Sequence, residues 1–178
     1  MQDILLVVDM QNDFVDGSLG TPEARSIVAK VVEKMEQFEG PVLFTKDTHQ
    51  EDYLETQEGR LLPVEHCIRG TEGWEIVGEV AGAREGQVIE KDTFGARDLP
   101  GVLMEMNQEV PVRSITLVGL CTDICVISNA MLIKAYLPEV EIIVDASCCA
   151  GVTPESHKIA LDAMKVCQVS VTGENEEA

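Results

Sequence analysis

The stretches ILLVVDM at residues 4–10 and SITLVGL at residues 114–120 are apolar on both faces of an extended chain. Runs of this kind predict strands that are buried on both sides, as in a parallel sheet covered by helices. Four further short apolar runs also predict strands, and they lie at residues 41–47, 87–91, 141–147 and 168–173. The sequence therefore predicts a sheet of six strands.

Amphipathic helices are predicted between these strands, at residues 22–38, 99–108, 123–136 and 154–166. Two of them begin with Thr-Pro-Glu, which supplies a capping hydroxyl, a proline that needs no N–H partner and an acid at the positive helix end. The alternation of strand and helix predicts a three-layer α/β/α fold with a mostly parallel six-stranded sheet. Ligands bind such folds beyond the carboxyl ends of the strands, so polar residues there are the candidates for chemistry.

The chain has 178 residues, which is the usual size of one domain. We expect a single domain over residues 1–173, followed by a short acidic tail at residues 174–178. The connection over residues 48–86 is long and contains the only tryptophan and several apolar residues. Long connections in compact domains are usually functional, so we predict an ordered loop that helps to form the site.

The charge of the chain is strongly acidic, with 32 acidic side chains against 13 basic ones and a formal net charge of −19. Such a surface repels phosphate backbones and anionic lipids, so we expect neither nucleic acid nor a membrane as a partner. The six cysteines form no CxxC pair, and the N-terminal stretch has no basic region typical of a signal peptide. These features favour reduced thiols and a cytoplasmic location.

Three residues at predicted strand ends could carry chemistry, although each also has an ordinary structural explanation. Asp9 follows a buried strand, where a poorly solvated carboxylate needs a partner, but it could equally be a turn acid. Lys91 ends another strand; it is either solvated or buried beside an acid. Cys125 falls in the first turn of a helix that Asp123 or Thr122 could cap, where free amides and the helix dipole favour a thiolate. It is a candidate nucleophile or a core cysteine, and Cys121 competes for the role.

A second group of polar residues has the chemistry of metal ligands. Asp47 and His49 alternate at the end of a predicted strand and so share one side of it, and His66 follows in the long connection. Carboxylate and neutral imidazole suit Zn²⁺, and also Mn²⁺ or Fe²⁺. Spacing alone leaves ordinary polar residues as the alternative. The third histidine, His157, is expected to be a surface or core residue of the last helix.

The motifs DMQNDF at residues 9–14, Lys91 and GLCTDICV at residues 119–126 together resemble the signature of the isochorismatase-like cysteine hydrolases. Within that family, DTH at residues 47–49 and LPVEHC at residues 62–67 are similar to the nicotinamidase/pyrazinamidase branch. The resemblance covers residues 3–173 in the order of the family. It implies the isochorismatase-like hydrolase fold.

The resemblance implies a catalytic Cys–Lys–Asp triad. Cys125 would be the nucleophile, Asp9 the base and then the acid, and Lys91 would hold the two in register. The backbone amides of Cys121 and Cys125 would form the oxyanion hole, and the family's cis peptide would map to Leu120–Cys121. The metal ligands implied are Asp47, His49 and His66, with Glu58 as a fourth candidate. In the family the metal binds the ring nitrogen of the substrate.

The predicted substrate pocket departs from the family pattern. Nicotinamidases usually place an aromatic residue shortly before the second metal histidine, whereas this chain has LLPV at residues 61–64. We expect Phe14, Leu62 and Phe94 to line the pocket. Arg97, near its mouth, could pair with a substrate carboxylate.

The resemblance implies a metal-dependent cysteine amidohydrolase, in the first place a nicotinamidase that converts nicotinamide and water to nicotinate and ammonia in NAD salvage. Two alternatives stay open. One is a sibling cysteine hydrolase that acts on another small amide or carbamoyl compound, and the other is a catalytically silent metal-binding member. The expected partner is a small-molecule amide. A homo-oligomer also remains open, since relatives are often dimers or tetramers.

Overall fold

Six parallel strands form one sheet in the computed structural model, which describes residues 1–174. The strands are β1 (Gln2–Val8), β2 (Val42–Asp47), β3 (Gln87–Lys91), β4 (Val112–Leu120), β5 (Glu141–Ala150) and β6 (Ser170–Thr172). Their order across the sheet is β3-β2-β1-β4-β5-β6, and all neighbouring pairs are parallel. The predicted six-stranded sheet is confirmed. All but the first residue of the predicted tail lies outside the described residues.

Helices cover the sheet on both sides, which confirms the three-layer α/β/α fold. They are α1 (Asn12–Val15), α2 (Pro22–Gln37), α3 (Gln57–Leu61), α4 (Gly78–Ala83), α5 (Leu99–Glu109), α6 (Ile127–Tyr136) and α7 (Pro154–Val166). A 3-10 turn spans Tyr53–Glu55, and a π-helical turn spans Thr122–Val126. As predicted, Thr21 and Thr153 cap α2 and α7 with their side chains. No helix within residues 1–174 is both long enough and apolar enough to cross a membrane.

The core has two halves because successive side chains of a strand point to opposite faces. In β1, Ile4, Leu6 and Val8 pack towards α5, α6 and α7, whereas Leu5 and Val7 pack towards α2 and α4. A strand that is apolar at every position therefore fills both halves, and all five of these residues are fully buried. This is why β1 lies in the interior of the sheet.

The connection over residues 48–86 folds back onto the strand ends. It contains the 3-10 turn, α3 and α4. His49 forms a parallel bridge with Ile68, and Gln11 forms an antiparallel bridge with Ile76. These bridges bring the connection next to the ends of β2 and β1, where the candidate residues lie.

The strand order reverses between β1 and β4, because the chain builds outwards from β1 to β3 and then crosses to β4 on the other side. A crevice forms at the carboxyl ends of the strands at such a point. β1 is followed by Asp9, β2 ends at Asp47, β3 ends at Lys91 and β4 leads into Cys121. The topology thus brings distant polar residues to one edge of the sheet.

Asp145 ties α2 to β5, and its contribution to stability should depend on pH. It accepts hydrogen bonds from Lys34 Nζ at 2.8 Å and Ser147 Oγ at 2.6 Å. Burial raises the pKa of this carboxyl, but the bonds from Lys34 and Ser147 outweigh it and leave the pKa below its ordinary value. A depressed pKa stabilises the fold above the unfolded value of about 3.9, and this stability is lost as the pH falls through the folded pKa.

We expect Asp145→Asn to lower the free energy of unfolding by about 1–2 kcal/mol at pH 7, a range that allows for solvent screening at Lys34, whose side chain is 34% exposed. Urea denaturation at pH 7 and pH 3 measures the effect, and the difference from wild type should shrink at the lower pH. Asp162→Asn, at an exposed pair on α7, is the control and should change stability by less than about 0.5 kcal/mol. A loss of equal size at both pH values would contradict the prediction.

Candidate active site

Asp9, Lys91 and Cys125 meet at the edge of the sheet. Lys91 Nζ lies 2.8 Å from Asp9 Oδ2 and 3.4 Å from Cys125 Sγ. The side chains of Asp9 and Lys91 are fully buried, and Cys125 is 5% exposed. The structure thus brings together the three residues that the sequence predicts as a triad.

Asp9 has one oxygen held and one oxygen free to take a proton. Its backbone turns through a φ of +47°, which ends β1 and directs the chain away from the sheet. Thr45 Oγ1 donates a hydrogen bond of 2.7 Å to Oδ1. Oδ2 is buried and pairs with the Lys91 ammonium, but it accepts no well-directed hydrogen bond within residues 1–174. This oxygen is the available proton acceptor next to the thiol.

The protonation states of the triad follow from its burial. Burial and the Asp9 carboxylate raise the pKa of the Cys125 thiol, and the opposing effect of Lys91 is smaller. Burial lowers the pKa of Lys91, but Asp9, Cys125 and Asp47 together raise it above its ordinary value. Burial thus works against the thiolate that a helix start alone would favour, whereas Lys91 supports it. The thiol needs a base, and Asp9 is the group beside it.

Asp47 joins the triad to the predicted metal ligands. Its Oδ1 accepts a hydrogen bond of 3.0 Å from Lys91 Nζ, and its Oδ2 lies 3.0 Å from His49 Nε2 and 3.7 Å from His66 Nε2. Burial raises the pKa of Asp47, but the close contact with His49 and the charge of Lys91 bring it below its ordinary value. One ionised carboxylate therefore faces both groups.

The metal-ligand set is well formed. Donor atoms of Asp47, His49 and His66 all lie within 4.8 Å of one another, and the three residues are buried. His66 Nδ1 contacts the Val64 carbonyl at 2.8 Å, which assigns the ring hydrogen to Nδ1 and leaves the Nε2 lone pair free. His49 Nε2 lies 3.0 Å from Asp47 Oδ2 but makes no well-directed hydrogen bond within residues 1–174. An orphaned buried nitrogen among such donors fits a divalent metal ion.

Glu58 lies at the rim of this set. Its Oε1 is 3.7 Å from His49 Nε2 and 3.8 Å from His66 Nε2, and its side chain is about a quarter exposed. Burial and the neighbouring Asp47 raise the pKa of this carboxyl, although burial is opposed by the histidines. Glu58 is thus close enough to serve as a fourth ligand.

The turn after β4 carries Cys121 and Cys125, whose amides are predicted to form an oxyanion hole. The peptide bond between Leu120 and Cys121 is cis, as the resemblance implied. The Cys121 carbonyl accepts from Ile124 N at 3.1 Å and Val126 N at 3.0 Å. Burial raises the pKa of the Cys121 thiol to about 12, and Lys91 hydrogen-bonds to Cys125 rather than to Cys121. Cys125 is therefore the better candidate for the nucleophile.

The prediction that Asp123 or Thr122 caps the helix start at this turn is wrong. Cys121 occupies the cap position without a side-chain hydrogen bond, and Cys125 lies in a π-helical turn before α6. Thr122 instead contacts His157 Nδ1 through its hydroxyl at 2.7 Å. Asp123 accepts hydrogen bonds from the Val152 amide. Both side chains are directed to the β5–α7 connection, because that connection packs against the turn.

The predicted pocket residues have different surroundings. The Phe14 ring lies 5.5 Å from the His66 ring, centroid to centroid. Leu62 is 38% exposed and Phe94 is 48% exposed. Arg97 is held by both oxygens of Asp92, at 2.6 and 2.8 Å, and lines a polar surface cavity of about 330 Å³. Arg97 therefore pairs with Asp92 through Nη2 at the edge of this cavity.

Sequence reasoning missed three residues of the site. Tyr53 is fully buried, with its ring 4.6 Å from His49 and 4.9 Å from His66. Tyr53 precedes the LLPV stretch at residues 61–64 and supplies the aromatic ring that this stretch lacks. Gln11 accepts from Asp47 N at 2.7 Å and donates to Asp47 O at 2.8 Å, as a neighbouring strand would, and Thr45 holds Asp9. Gln11 lies within the DMQNDF motif, which was the available signal.

Comparison with known proteins identifies the family. The model of the isochorismatase domain matches residues 3–176. The uncharacterized isochorismatase family protein PncA of Bacillus subtilis (strain 168) is 31% identical over an alignment of 175 residues, which covers 90% of this chain and 93% of the relative. The chain belongs to the isochorismatase family, as its motifs predicted.

Solved structures of the family share the whole fold. The nicotinamidase/pyrazinamidase PncA of B. subtilis superposes with a TM-score of 0.81 at 31% identity, over 97% of this chain and 100% of that one. The pyrazinamidase of Pyrococcus horikoshii in complex with zinc gives 0.83 at 26% identity, over 98% and 100%. The N-carbamoylsarcosine amidase of Thermoplasma acidophilum gives 0.76 at 27% identity, over 100% of both chains. The predicted enzyme class, an amide hydrolase, is confirmed.

The donor set should bind one divalent ion per chain. We expect metal-free protein to take up one Zn²⁺, and His66→Ala to weaken binding by more than about 100-fold because a ligand nitrogen is lost. Glu58→Gln should weaken it by about tenfold or less, since Glu58 is at the rim. Titration calorimetry with metal analysis measures both. His157→Ala, the change at the third histidine, is the control, and equal binding by wild type and His66→Ala would contradict the prediction.

Proposed function

We propose that this amide hydrolase acts on nicotinamide and releases nicotinate and ammonia, with Cys125 as the nucleophile. The observation that carries the proposal is the single carboxylate of Asp47, which contacts Lys91 of the triad and both histidines of the metal-ligand set. This juxtaposition lets one site hold a heteroaromatic ring beside a reactive thiol. Relatives described as nicotinamidase/pyrazinamidase, at 31% identity, support the same substrate class.

The first half of the reaction forms a thioester. Asp9 Oδ2 takes the proton of Cys125, and the sulfur attacks the amide carbonyl carbon. The carbonyl π electrons move to oxygen, and the amides of Cys121 and Cys125 stabilise the oxyanion. The Lys91 ammonium, 3.4 Å from the sulfur, stabilises the negative charge that develops during proton transfer.

The second half releases both products. The oxyanion collapses, the C–N bond breaks and the nitrogen takes the proton from Asp9, so that ammonia leaves. Asp9 then accepts a proton from water as the water oxygen attacks the thioester carbon. The C–S bond breaks, the sulfur recovers its proton from Asp9 and the carboxylic acid leaves as nicotinate after ionisation. Asp9 and Cys125 return to their initial states.

Asp47, His49 and His66, with Glu58 at the rim, would hold the metal ion. When bound, the ion would supply a Lewis acid for the pyridine nitrogen of the substrate. Zinc is the proposed metal, since the donor set suits it and the P. horikoshii neighbour was crystallised with zinc; Mn²⁺ and Fe²⁺ are alternatives. Phe14 and Tyr53, which lie against the histidines, would flank the substrate ring. The proposed setting is the cytoplasm, in NAD salvage.

A second candidate substrate is a small carbamoyl or amide compound that carries a carboxylate. The N-carbamoylsarcosine amidase neighbour, which aligns with the whole chain, favours it. In that case Arg97 would exchange Asp92 for the substrate carboxylate.

Purified zinc-loaded protein should release ammonia from nicotinamide, and Cys125→Ala should reduce kcat by more than about 10⁴-fold because the thioester cannot form. Ammonia release by a coupled assay is the measurement. Cys167→Ala removes the exposed cysteine and should retain full activity. The same assay includes an N-carbamoyl amino acid.

If the protein releases ammonia from the carbamoyl compound but not from nicotinamide, the second candidate substrate replaces nicotinamide. Release from neither compound by folded, metal-loaded protein would overturn the proposed function.

A further inference from the structure

Thr122 and His157 form a hydrogen bond that the chemistry described above does not use. Thr122 is fully buried, follows Cys121 directly and begins the turn that carries Cys125. Its Oγ1 lies 2.7 Å from Nδ1 of His157, in the second turn of α7. The bond therefore links a helix distant in the sequence to the first of the three residues between Cys121 and Cys125, whose amides are the proposed oxyanion donors.

The next residue of the turn is held from the same side. Both carboxylate oxygens of Asp123 lie 3.2 Å from the Val152 amide nitrogen, which precedes α7. Gly151 lets this connection approach closely, since a Cβ there would come within 2.8 Å of the His157 backbone nitrogen. We call the Thr122–His157 and Asp123–Val152 hydrogen bonds together the α7 clamp.

We propose that the α7 clamp sets the direction of the Cys121 and Cys125 amides, which makes Thr122 and His157 positioning residues for the oxyanion step. The inference rests on the proposed thioester chemistry. It adds to that chemistry two residues that touch neither the substrate nor the reacting atoms.

The geometry of the turn explains why it needs an external hold. An oxyanion donor must lie within about 2.7–3.1 Å of the developing charge, so a small rotation of its peptide removes most of its effect. Inside the turn, the Cys121 carbonyl already accepts both available bonds, from Ile124 N and Val126 N. Asn129 Nδ2 holds the Cys125 carbonyl at 2.8 Å, and Lys91 reaches the Cys125 sulfur. At the start of the turn, the side chains of Thr122 and Asp123 provide the hold.

Burial keeps the clamp in one arrangement. It lowers the pKa of His157, and the nearby Asp123 and Glu174 carboxylates only partly offset this effect, so the ring is neutral near pH 7. A neutral imidazole can form a hydrogen bond with a hydroxyl without leaving a charge in the interior. The Thr122–His157 bond is therefore a contact between two neutral groups.

The test compares Thr122→Val and His157→Phe, which remove the bond at similar size, with Thr122→Ser, which keeps the hydroxyl. We expect kcat for nicotinamide to fall by about 10–100-fold in the first two variants, with KM changed by less than about twofold. Thr122→Ser should stay within about threefold of wild-type kcat. Amide hydrogen exchange of residues 121–126, which needs no substrate, should rise by about tenfold in the first two variants, with β4 unchanged.

Thr153→Val is the matched control, because it makes the same chemical change at the cap of α7 without touching Thr122. It should lower the melting temperature by about 2–4 °C and leave kcat within about twofold of wild type. An equal loss of kcat in Thr153→Val would assign the effect to helix stability and overturn the inference.

Two other outcomes would also overturn the clamp. Unchanged amide hydrogen exchange in Thr122→Val and His157→Phe would overturn it, whatever the substrate of the enzyme is. Faster hydrogen exchange with unchanged kcat would show that the clamp has no catalytic effect. If wild-type protein releases no ammonia from nicotinamide, the proposed function fails and the exchange experiment alone decides whether the clamp holds the turn.

Discussion

The buried ammonium of Lys91 is the charge on which the site is built. It lies 2.8 Å from Asp9, 3.0 Å from Asp47 and 3.4 Å from the Cys125 thiol, with a fully buried side chain. A buried charge is costly unless it is paired, so the charge of Lys91 requires partners close to it. Those partners come from the ends of β1 and β2 and from the turn after β4, and Lys91 itself ends β3. The same charge opposes the rise in the pKa of the thiol, which prepares Cys125 to lose its proton to Asp9.

Asp47 extends this arrangement to the metal-ligand set. Because one of its oxygens faces Lys91 and the other faces His49 and His66, the two groups of residues cannot move independently. The side chain of Gln11 hydrogen-bonds to both the backbone N–H and the carbonyl of Asp47. The backbone amide of Gln11 donates to the Asp9 carbonyl. The proposed ring-binding and bond-breaking ends of the site therefore share one rigid support.

The fold and the identity of the candidate residues were predictable because their signals are local. Apolar runs identify buried strands, and the Thr-Pro-Glu starts identify α2 and α7, both of which cap as expected. The turn after β4 was not predictable in the same way. Thr122 and Asp123 look like capping residues in sequence, but the β5–α7 connection packs against them and takes their hydrogen bonds. Burial also raises the pKa of Cys125, whereas a helix start alone favours a thiolate.

By itself, the sequence determined the order of strands and helices, the polar residues at the strand ends and, through its motifs, the family. Each of these depends on residue type and spacing along the chain. Tertiary structure decided which oxygen of Asp9 is free, that Asp47 faces two groups, that Arg97 pairs with Asp92, and that Tyr53, Gln11 and His157 contact the site. These features depend on contacts between residues far apart in sequence. Hydrogen-bond direction and proton affinity are set by those contacts and by burial, which no local pattern encodes.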